Sequence, residues 1–279
     1  TPTKTKGIGA GQASDLKWVE ASARQISKYA KTGTIVVEKS TLPVRTAHTI
    51  NTILKFSKEK ETKEFNKKKF TVLSNPEFLA EGTAIDDLIN PDRVLIGGED
   101  EESINALTKI YLNWVKKEKI LKTDLWSSEL SKLIANALLA QRVSSINSFS
   151  ALSEKTGANI TDVSKAIGLD KRIGKFFLNS GPGFGGSCFK KDILNLIYIC
   201  NHYGLEEVSS YWQKVLDIND WQQHRIIKEI VNKMFGTITD KKLAIFGFSF
   251  KANTNDTRES PSKYICKKLL EEGAYLAIY

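Results

Sequence analysis

The sequence predicts an α/β fold built around a parallel sheet, and two observations support that prediction. Short runs of four to six apolar residues alternate with longer amphipathic segments through the first 125 residues, and the alternation returns after residue 241. Short apolar runs bounded by polar turns are typical of strands buried on both faces, with helices connecting them. The 279 residues, 41% of them hydrophobic, are enough to form a real core in one large domain or two ordinary ones.

The amino-terminal region is predicted to alternate strands with helices, each justified by its own pattern of apolar residues. In order, the predicted elements are a helix over Asp15–Tyr29 with Ser14 or Asp15 as its cap, a strand over Thr34–Glu38, a helix beginning at Pro43, strands over Phe70–Leu73 and Val94–Gly97, a helix over Ile104–Val115 and a short strand at Ile120–Leu121.

Polar turns follow two of these strands, at residues 39–41 (KST) and 74–78 (SNPEF). Ligands of open α/β sheets bind at the carboxyl ends of the strands. The two turns are therefore the first candidate walls of a binding site.

From Trp126 onward the pattern changes to long helices. The segment Ser127–Lys155 contains neither glycine nor proline and is apolar on more than one face, which is typical of a helix buried between domains or subunits. Helical periodicity continues from about Asp192 to Met234. A strand at Lys242, a helix over Ser260–Glu272 and a strand ending at Tyr279 then form one βαβ unit.

The predicted domains are 1–124, 125–237 and 238–279. Since the first strand of a sheet is missing and one βαβ unit cannot form a sheet-covering domain, we expect the chain to be truncated at both ends.

Composition excludes several classes of protein. No apolar run approaches eighteen residues and no signal peptide is visible, so no membrane partner is expected. The three histidines never occur as HxxxH or HExxH, which argues against a metal site.

The three cysteines form no CxxC, and their odd number suits a reducing, cytoplasmic location. Two of them, Cys200 and Cys266, lie in apolar helical patterns and are predicted to be inert.

The net charge is +9, and the segment 55–69 contributes +4 of it through seven lysines and three glutamates. A solvated surface segment is the favoured interpretation. A nucleic-acid patch is the alternative, but the segment lacks arginine and interleaved stacking groups, so no nucleic-acid partner is predicted. The remaining charge suits an anionic small substrate equally well.

The glycine cluster GIGAG at residues 7–11 resembles a dinucleotide-binding loop only superficially. The G-x-G-x-x-G spacing requires glycine at position 12, where Gln12 stands, and no strand precedes the cluster. We predict an ordinary loop before a helix.

The segment 181–192, GPGFGGSCFKKD, has the strongest chemical pattern. Its glycines let backbone amides approach a ligand closely, and Cys188 lies at the predicted start of a helix, where free N–H groups and the helix dipole favour thiolate. Lys190 and Lys191 add positive charge. Asp192 lies one helical turn after Cys188, which suits acyl chemistry that ends with the activation of water.

Two further pairs are spaced four residues apart. Lys132 and Asn136 share one face of a mostly apolar helix and could donate to a developing oxyanion, although the spacing alone leaves a surface lysine equally open. Glu77 and Glu81 follow a strand, and one of them could be a general base.

These residues belong to five ordered motifs that resemble those of the UDP-glucose/GDP-mannose dehydrogenase family. The motifs are EKSTLPV (38–44), SNPEFLAEGTAIDDLINPDRVLIGG (74–98), WSSELSKLIANALLAQRVSSINS (126–148), GPGFGGSCFKKD (181–192) and GFSFKANTNDTRES (247–260). The segments AEGTAI and NPDRVLIGG resemble those of the UDP-glucose branch more than those of the GDP-mannose or UDP-N-acetylhexosamine dehydrogenases.

The resemblance implies a partial Rossmann-like parallel sheet, a central long-helix dimerisation region and the start of a second Rossmann-like domain. It also implies a homo-oligomer, at least a dimer, that uses NAD to oxidise UDP-glucose to UDP-glucuronate. By the same resemblance Cys188 is the nucleophile, forming a thiohemiacetal and then a thioester. The other implied catalytic residues are Lys132 for the oxyanion, Asp192 and Glu77 for protons and water, Thr41 for ordering that water, and Asn136 as a substrate ligand.

The resemblance also implies two larger sets of contacts. The implied substrate contacts are Glu77, Phe78, Leu79, Ala80, Glu81, Lys132, Asn136, Arg172 (lent to a neighbouring subunit), Asn179, Ser180, Gly181, Pro182, Gly183, Phe184, Gly185, Phe250 and Lys251. The implied NAD contacts are Thr1, Pro2, Thr3, Ser40, Thr41, Leu42, Glu81 and Arg258.

The chain departs from the family pattern in three ways. The GxGxxG unit and most of the last domain are absent, the lysine-rich segment resembles a small insertion, and Lys190 stands where proline or glutamine is common. Two alternatives stay open: a non-catalytic dimerising fragment, and a related enzyme acting on GDP-mannose or a UDP-N-acetylhexosamine.

Overall fold

The computed structural model describes residues 1–56 and 69–279, so most of the lysine-rich segment, at residues 57–68, lies outside the described residues. The chain divides into two compact units, residues 1–134 and 135–279. The three-domain organisation expected from the sequence stays a prediction.

The first unit contains the α/β region. Its elements are α1 (Lys17–Tyr29), β1 (Ile35–Glu38), α2 (Thr46–Phe56), β2 (Thr71–Ser74), α3 (Ala84–Ile89), β3 (Val94–Gly97), α4 (Glu101–Tyr111), β4 (Ile120–Thr123) and the first part of α5 (Leu125–Thr156). The strands form one sheet in the order β1-β2-β3-β4. β1 pairs with β2 in parallel, as does β3 with β4, so the predicted α/β class is confirmed.

The pairing in the middle of this sheet differs from the all-parallel expectation. β2 and β3 are antiparallel and overlap only at their last residues, Ser74 opposite Gly97. Between them lies only the six-residue helix α3, which spans about 9 Å at 1.5 Å per residue. The chain therefore enters β3 from the edge at which β2 ended, without a crossover back to the other edge.

Two apolar clusters hold the sheet between its helices. Leu73 and Ile96 are fully buried in one cluster with residues of α4. Ala23 and Ala47 are buried in the other, where α1 and α2 cover the opposite side. Burial on both faces explains why these strands read as continuous apolar runs.

Several helix starts differ from the predicted ones. α2 begins at Thr46 rather than Pro43, because Arg45 has a left-handed backbone (φ 78°) that a helix cannot include. α4 begins at Glu101, where the Asp100 side chain accepts a hydrogen bond from Ser103 N at 2.8 Å. At α1 the N-cap residue is Leu16, not Ser14 or Asp15 as predicted, and it makes no side-chain cap hydrogen bond. The Asp15 side chain still accepts from Lys17 N at 3.0 Å through Oδ1.

The second unit contains the remainder of α5, α6 (Ile160–Gly168), α7 (Phe189–His202), α8 (Glu206–Lys233), β5 (Lys242–Ile245), α9 (Pro261–Glu271) and β6 (Tyr275–Ile278). The 32-residue α5 and the parallel pair β5–β6 confirm the long helix and the last βαβ unit. The helical pattern predicted from about Asp192 to Met234 is confirmed. It is two helices, since Gly204 (φ 70°) ends α7 and turns the chain into α8.

The glycine cluster at 7–11 is a loop before α1, as predicted. Gly7, Gly9 and Gly11 all have positive φ, and Thr3 and Ser14 flank the loop as an isolated antiparallel bridge.

Candidate active site

In the first unit, a buried lysine is paired with a carboxylate. Lys132, on α5, is 5% exposed and donates from Nζ to Glu77 Oε2 at 3.3 Å. The same oxygen accepts from Leu79 N at 3.1 Å, which fixes the turn after β2. The Phe78 ring centroid lies 5.3 Å from Lys132 Nζ and 3.8 Å from Arg93 Cζ. The ammonium is therefore largely desolvated, a setting in which it interacts strongly with negative charge.

The turn after β1 is fixed by residues that the sequence analysis missed. Lys39 Nζ donates to Asn75 Oδ1 at 3.2 Å and to Tyr111 Oη at 3.1 Å. Tyr111 Oη donates to Asn75 Oδ1 at 2.6 Å, and Asn75 Nδ2 donates to Leu95 O at 2.7 Å. The network joins the two polar turns predicted as site walls. Its only signal in the sequence is the polarity of the two turns themselves.

Part of the expected NAD-contact set lies together in the first unit. Thr1 Oγ1 donates to the carbonyl oxygen of Thr41 at 3.1 Å, so the segments 1–3 and 40–42 are neighbours. They offer hydroxyl and backbone groups beside the carboxyl end of β1, the donor types that ribose and phosphate need. These residues fit the cofactor.

In the second unit, Cys188 is the N-cap residue of α7 and is exposed. The Ser187 hydroxyl lies 3.6 Å from its sulfur. Asp192 N donates to Cys188 O at 2.9 Å, so Asp192 lies one turn into the helix, as the spacing predicted.

The Asp192 carboxylate is 2% exposed, and both of its oxygens have a partner. Oδ2 accepts from Asn136 Nδ2 at 2.6 Å, and Oδ1 lies 2.9 Å from Lys191 Nζ. The second unit therefore places Asn136 against Asp192, one helical turn from Cys188. Charge-assisted hydrogen bonds of this kind are what a buried carboxylate needs.

The glycine-rich loop is shaped by its own protein neighbours. A Cβ on Gly183 (φ 121°) would lie 2.7 Å from Asn219 Oδ1, and one on Gly185 would lie 2.4 Å from Glu259 O. Asn219 also accepts from Phe184 N at 2.7 Å, and Asn147 accepts from Gly181 N at 2.8 Å. The sequence analysis attributed these glycines to close approach of a ligand, whereas the structure shows that close packing within the chain already requires two of them.

Of the remaining predicted residues of the second unit, Phe250 and Arg258 lie beside the glycine-rich loop, where Gly186 N donates to Arg258 O at 2.9 Å. Arg172 is exposed and pairs with Asp170 at 2.6 Å. Its loop is held by Arg142, which the sequence analysis missed and whose guanidinium donates to the carbonyls of residues 173, 174 and 176 at 2.9–3.0 Å. The Phe250 ring packs against Gly186, where a Cβ would lie 3.0 Å from the ring, and Arg258 pairs with Asp256 at 2.8 Å.

Two absences hold for the residues that the structure describes. No group of three or more histidine, cysteine, aspartate or glutamate side chains could hold a metal ion there. In residues 1–56 and 69–279, no helix has both the length and the apolar character needed to cross a membrane.

Three family models match the chain in order. They describe the NAD-binding domain (residues 1–115), the central domain (126–221) and the UDP-binding domain (244–279) of the UDP-glucose/GDP-mannose dehydrogenase family.

Curated relatives extend the match over the whole chain. The chain is 55% identical to UDP-glucose 6-dehydrogenase of Drosophila melanogaster, 57% to that of Gallus gallus and 56% to UDP-glucose 6-dehydrogenase 3 of Arabidopsis thaliana. All of the chain is aligned, but it spans only 56–58% of the length of these relatives.

Among solved structures, a UDP-glucose dehydrogenase from Pyrobaculum islandicum superposes with a TM-score of 0.86 at 34% identity, over 95% of this chain and 60% of that one. A UDP-D-ManNAc dehydrogenase from Pyrococcus horikoshii has a TM-score of 0.79 at 23% identity over 95% of this chain and 61% of that one, and shows the shared fold.

Proposed function

Because the chain belongs to the UDP-glucose/GDP-mannose dehydrogenase family, we propose that the protein containing it oxidises UDP-glucose to UDP-glucuronate with NAD. The proposal of UDP-glucose, rather than GDP-mannose or a UDP-N-acetylhexosamine, is supported by relatives of that name at 55–57% identity. The single structural observation that carries it is the exposed Cys188 thiol, one helical turn before the buried carboxylate of Asp192.

The proposed reaction divides a four-electron oxidation into two steps. The C6 alcohol first loses two electrons to become an aldehyde. The Cys188 sulfur adds to the aldehyde carbon, the carbonyl oxygen gains a proton, and a thiohemiacetal results. Removal of two more electrons gives a thioester, and attack by water breaks the C–S bond to release the acid and the thiol. When bound, NAD accepts one hydride in each oxidation.

The roles proposed for the other residues are those that the family resemblance implies. The desolvated ammonium of Lys132 stabilises negative charge on the sugar oxygen, with Glu77 as its proton partner. Asp192 accepts a proton from the attacking water, and Thr41 orders that water. Asn136 holds Asp192 and binds substrate. For the cofactor, the segments 1–3 and 40–42 supply the hydroxyl and backbone contacts, together with Glu81 and Arg258.

The remaining implied contacts are proposed for the sugar nucleotide. Residues 77–81, 179–185 and 250–251 would bind it, and Arg172, 88% exposed at its side chain, would reach the substrate of a neighbouring subunit.

The nucleophile is tested by replacing the sulfur. Cys188→Ser should stall as an ester, because an alkoxide is a poorer leaving group than a thiolate, and intact mass after incubation with UDP-glucose and NAD should show one added sugar-nucleotide acyl group. Cys188→Ala should form no adduct and no product. Cys200→Ser is the matched control and should turn over normally. Near-normal UDP-glucuronate formation by Cys188→Ala would show that the nucleophile lies elsewhere.

We also propose that the protein is at least a homodimer assembled on α5. Five large apolar residues of this helix are 38–61% exposed: Trp126, Ile134, Leu138, Phe149 and Leu152. Helical spacing places the last four on one face. A stripe of this kind on a long helix is typical of a subunit interface. Light scattering at micromolar concentration should give at least twice the chain mass, and Leu152→Glu should weaken the association. A monomeric mass for the unaltered protein would contradict the proposal.

A further inference from the structure

Two glutamates that the proposed mechanism does not use form a buried pair in the first unit. Glu38 is the last residue of β1 and Glu129 lies on α5, and their exposures are 7% and 3%. Their carboxyl groups are in hydrogen-bonding contact. Two ionised carboxylates in contact out of water repel strongly, so such a pair retains one proton at pH values where exposed carboxyls have lost theirs.

The backbone donors show which member carries the negative charge. Glu129 Oε2 accepts from Arg45 N at 2.6 Å and Glu129 Oε1 accepts from Ala47 N at 2.7 Å. These N–H groups lie at the start of α2, where the helix dipole also favours a negative charge. Glu38 Oε2, by contrast, has no hydrogen-bond partner within the described ranges 1–56 and 69–279. The proton therefore belongs on Glu38, which then donates to Glu129.

The titration of the pair agrees with this geometry. Burial, followed by the charge of Glu129 and the contact with it, raises the pKa of Glu38 to about 9. Burial also raises the pKa of Glu129, but the N–H groups of Ala47 and Arg45 act in the opposite direction.

The cations of the elements around the pair are engaged with other groups. Lys39, after β1, donates to Asn75 and Tyr111, and Lys132, on α5, pairs with Glu77. The Arg45 guanidinium, before α2, lies 5.0 Å from the centroid of Trp126. His48 on α2 is exposed.

We propose that Glu38 and Glu129 share one proton and together position the segment 39–47, which carries Thr41 and leads into α2. The pair holds both ends of this segment, since Glu38 ends β1 and Glu129 binds the amides of Arg45 and Ala47. It also stabilises the left-handed backbone of Arg45, which a non-glycine residue adopts only when its surroundings require it. Both glutamates are positioning residues, and only the importance of Thr41 rests on the proposed function.

The sign of the pH dependence follows from proton linkage. The folded segment keeps a proton on Glu38 up to about pH 9, whereas an opened segment releases it above the ordinary value of 4.5. Between pH 4.5 and about pH 9, opening of the segment releases one proton. The stabilisation by the shared proton is therefore complete below pH 4.5. As the pH rises toward 9, the equilibrium constant that favours the closed segment decreases about tenfold per pH unit.

The test uses two isosteric variants with opposite expectations. Glu38→Gln is permanently neutral and can still donate to Glu129. Glu129→Gln has lost the charge and offers one oxygen to two N–H donors. The readout is the amide hydrogen-exchange protection of Ala47, corrected for the intrinsic rate, from pH 6 to 10 and without substrate. The amide of Leu269, a fully buried residue of helix α9 in the other unit, is the internal reference.

In the unaltered protein, we expect Ala47 protection to decrease about tenfold per pH unit up to about pH 9 and then to level off. Glu38→Gln should remove this slope, and Glu129→Gln should lose protection at every pH. A slope in Glu38→Gln equal to that of the unaltered protein, or undiminished protection in Glu129→Gln, would overturn the proposal. Turnover of UDP-glucose, measured on the same samples, separates the two proposals. If the unaltered protein is inactive, the proposed oxidation is contradicted. The hydrogen-exchange result still decides whether Glu38 and Glu129 share a proton.

Discussion

Asp192 in the second unit and Glu38 in the first are both almost fully buried, yet their surroundings differ in kind. Asp192 receives an amide donor from Asn136 and the ammonium of Lys191, one on each oxygen. Glu38 contacts a second carboxylate, and its pKa is raised to about 9. The comparison shows that two carboxyl groups buried to a similar degree can have opposite surroundings. Asp192 has a donor on each oxygen, whereas Glu38 contacts another acid and keeps its own proton.

The largest expected effect is on catalysis and comes from removing the charge of Asp192. Asp192→Asn should lower kcat by about 100- to 10,000-fold, the usual contribution of a positioned acid–base group, with turnover followed by NADH absorbance. Asp217→Asn, at a half-buried aspartate of α8 paired with Lys214, is the matched control and should be close to normal. Because Glu38 is proposed to be neutral already, Glu38→Gln should be tolerated near pH 7. Equal losses at positions 192 and 38 would invalidate the comparison.

An intermediate effect is expected when Asp192 loses its neutral donor and so becomes more like Glu38. Asn136→Leu removes the amide that donates to Oδ2 at 2.6 Å, and the buried oxygen left without it should lower the free energy of unfolding by about 1–3 kcal/mol. Denaturant unfolding measures the change. Asn113→Leu should alter it by less than about 0.5 kcal/mol, because this exposed amide, just after α4, bonds within the described residues to two carbonyls of that helix. A similar cost at both positions would show that the Asn136 contact is incidental.

The smallest expected effect extends the comparison to the thiols. Burial raises the pKa of Cys200 and that of Cys266, whereas Cys188 is exposed at the start of α7. Iodoacetamide should therefore alkylate Cys188 at least about tenfold faster than the other two in folded protein, as measured by peptide mass spectrometry. Denatured protein, in which all three react alike, supplies the control. Faster labelling of Cys200 would remove the argument for a reactive Cys188.

Features that depend on neighbours in the chain were predictable from the sequence. Alternating apolar runs predicted the α/β class, uninterrupted helical spacing predicted α5, and the glycines before Cys188 predicted its place at the start of a helix. Asp192 was placed one turn later by spacing alone. These predictions succeed because strand and helix periods, and the local effects of glycine, act over a few residues.

Features that depend on distant residues were decided by the tertiary structure. Nothing near Glu38 in the sequence indicates that Glu129, ninety-one positions later, would share its proton, or that Tyr111 would fix Lys39. The same holds for Asn219 behind Gly183, for the antiparallel meeting of β2 and β3, and for the left-handed Arg45 that delays α2. All of them have the same physical reason. Packing buries certain side chains together, away from water. The free energy of that burial depends on partners that only the folded chain brings into contact.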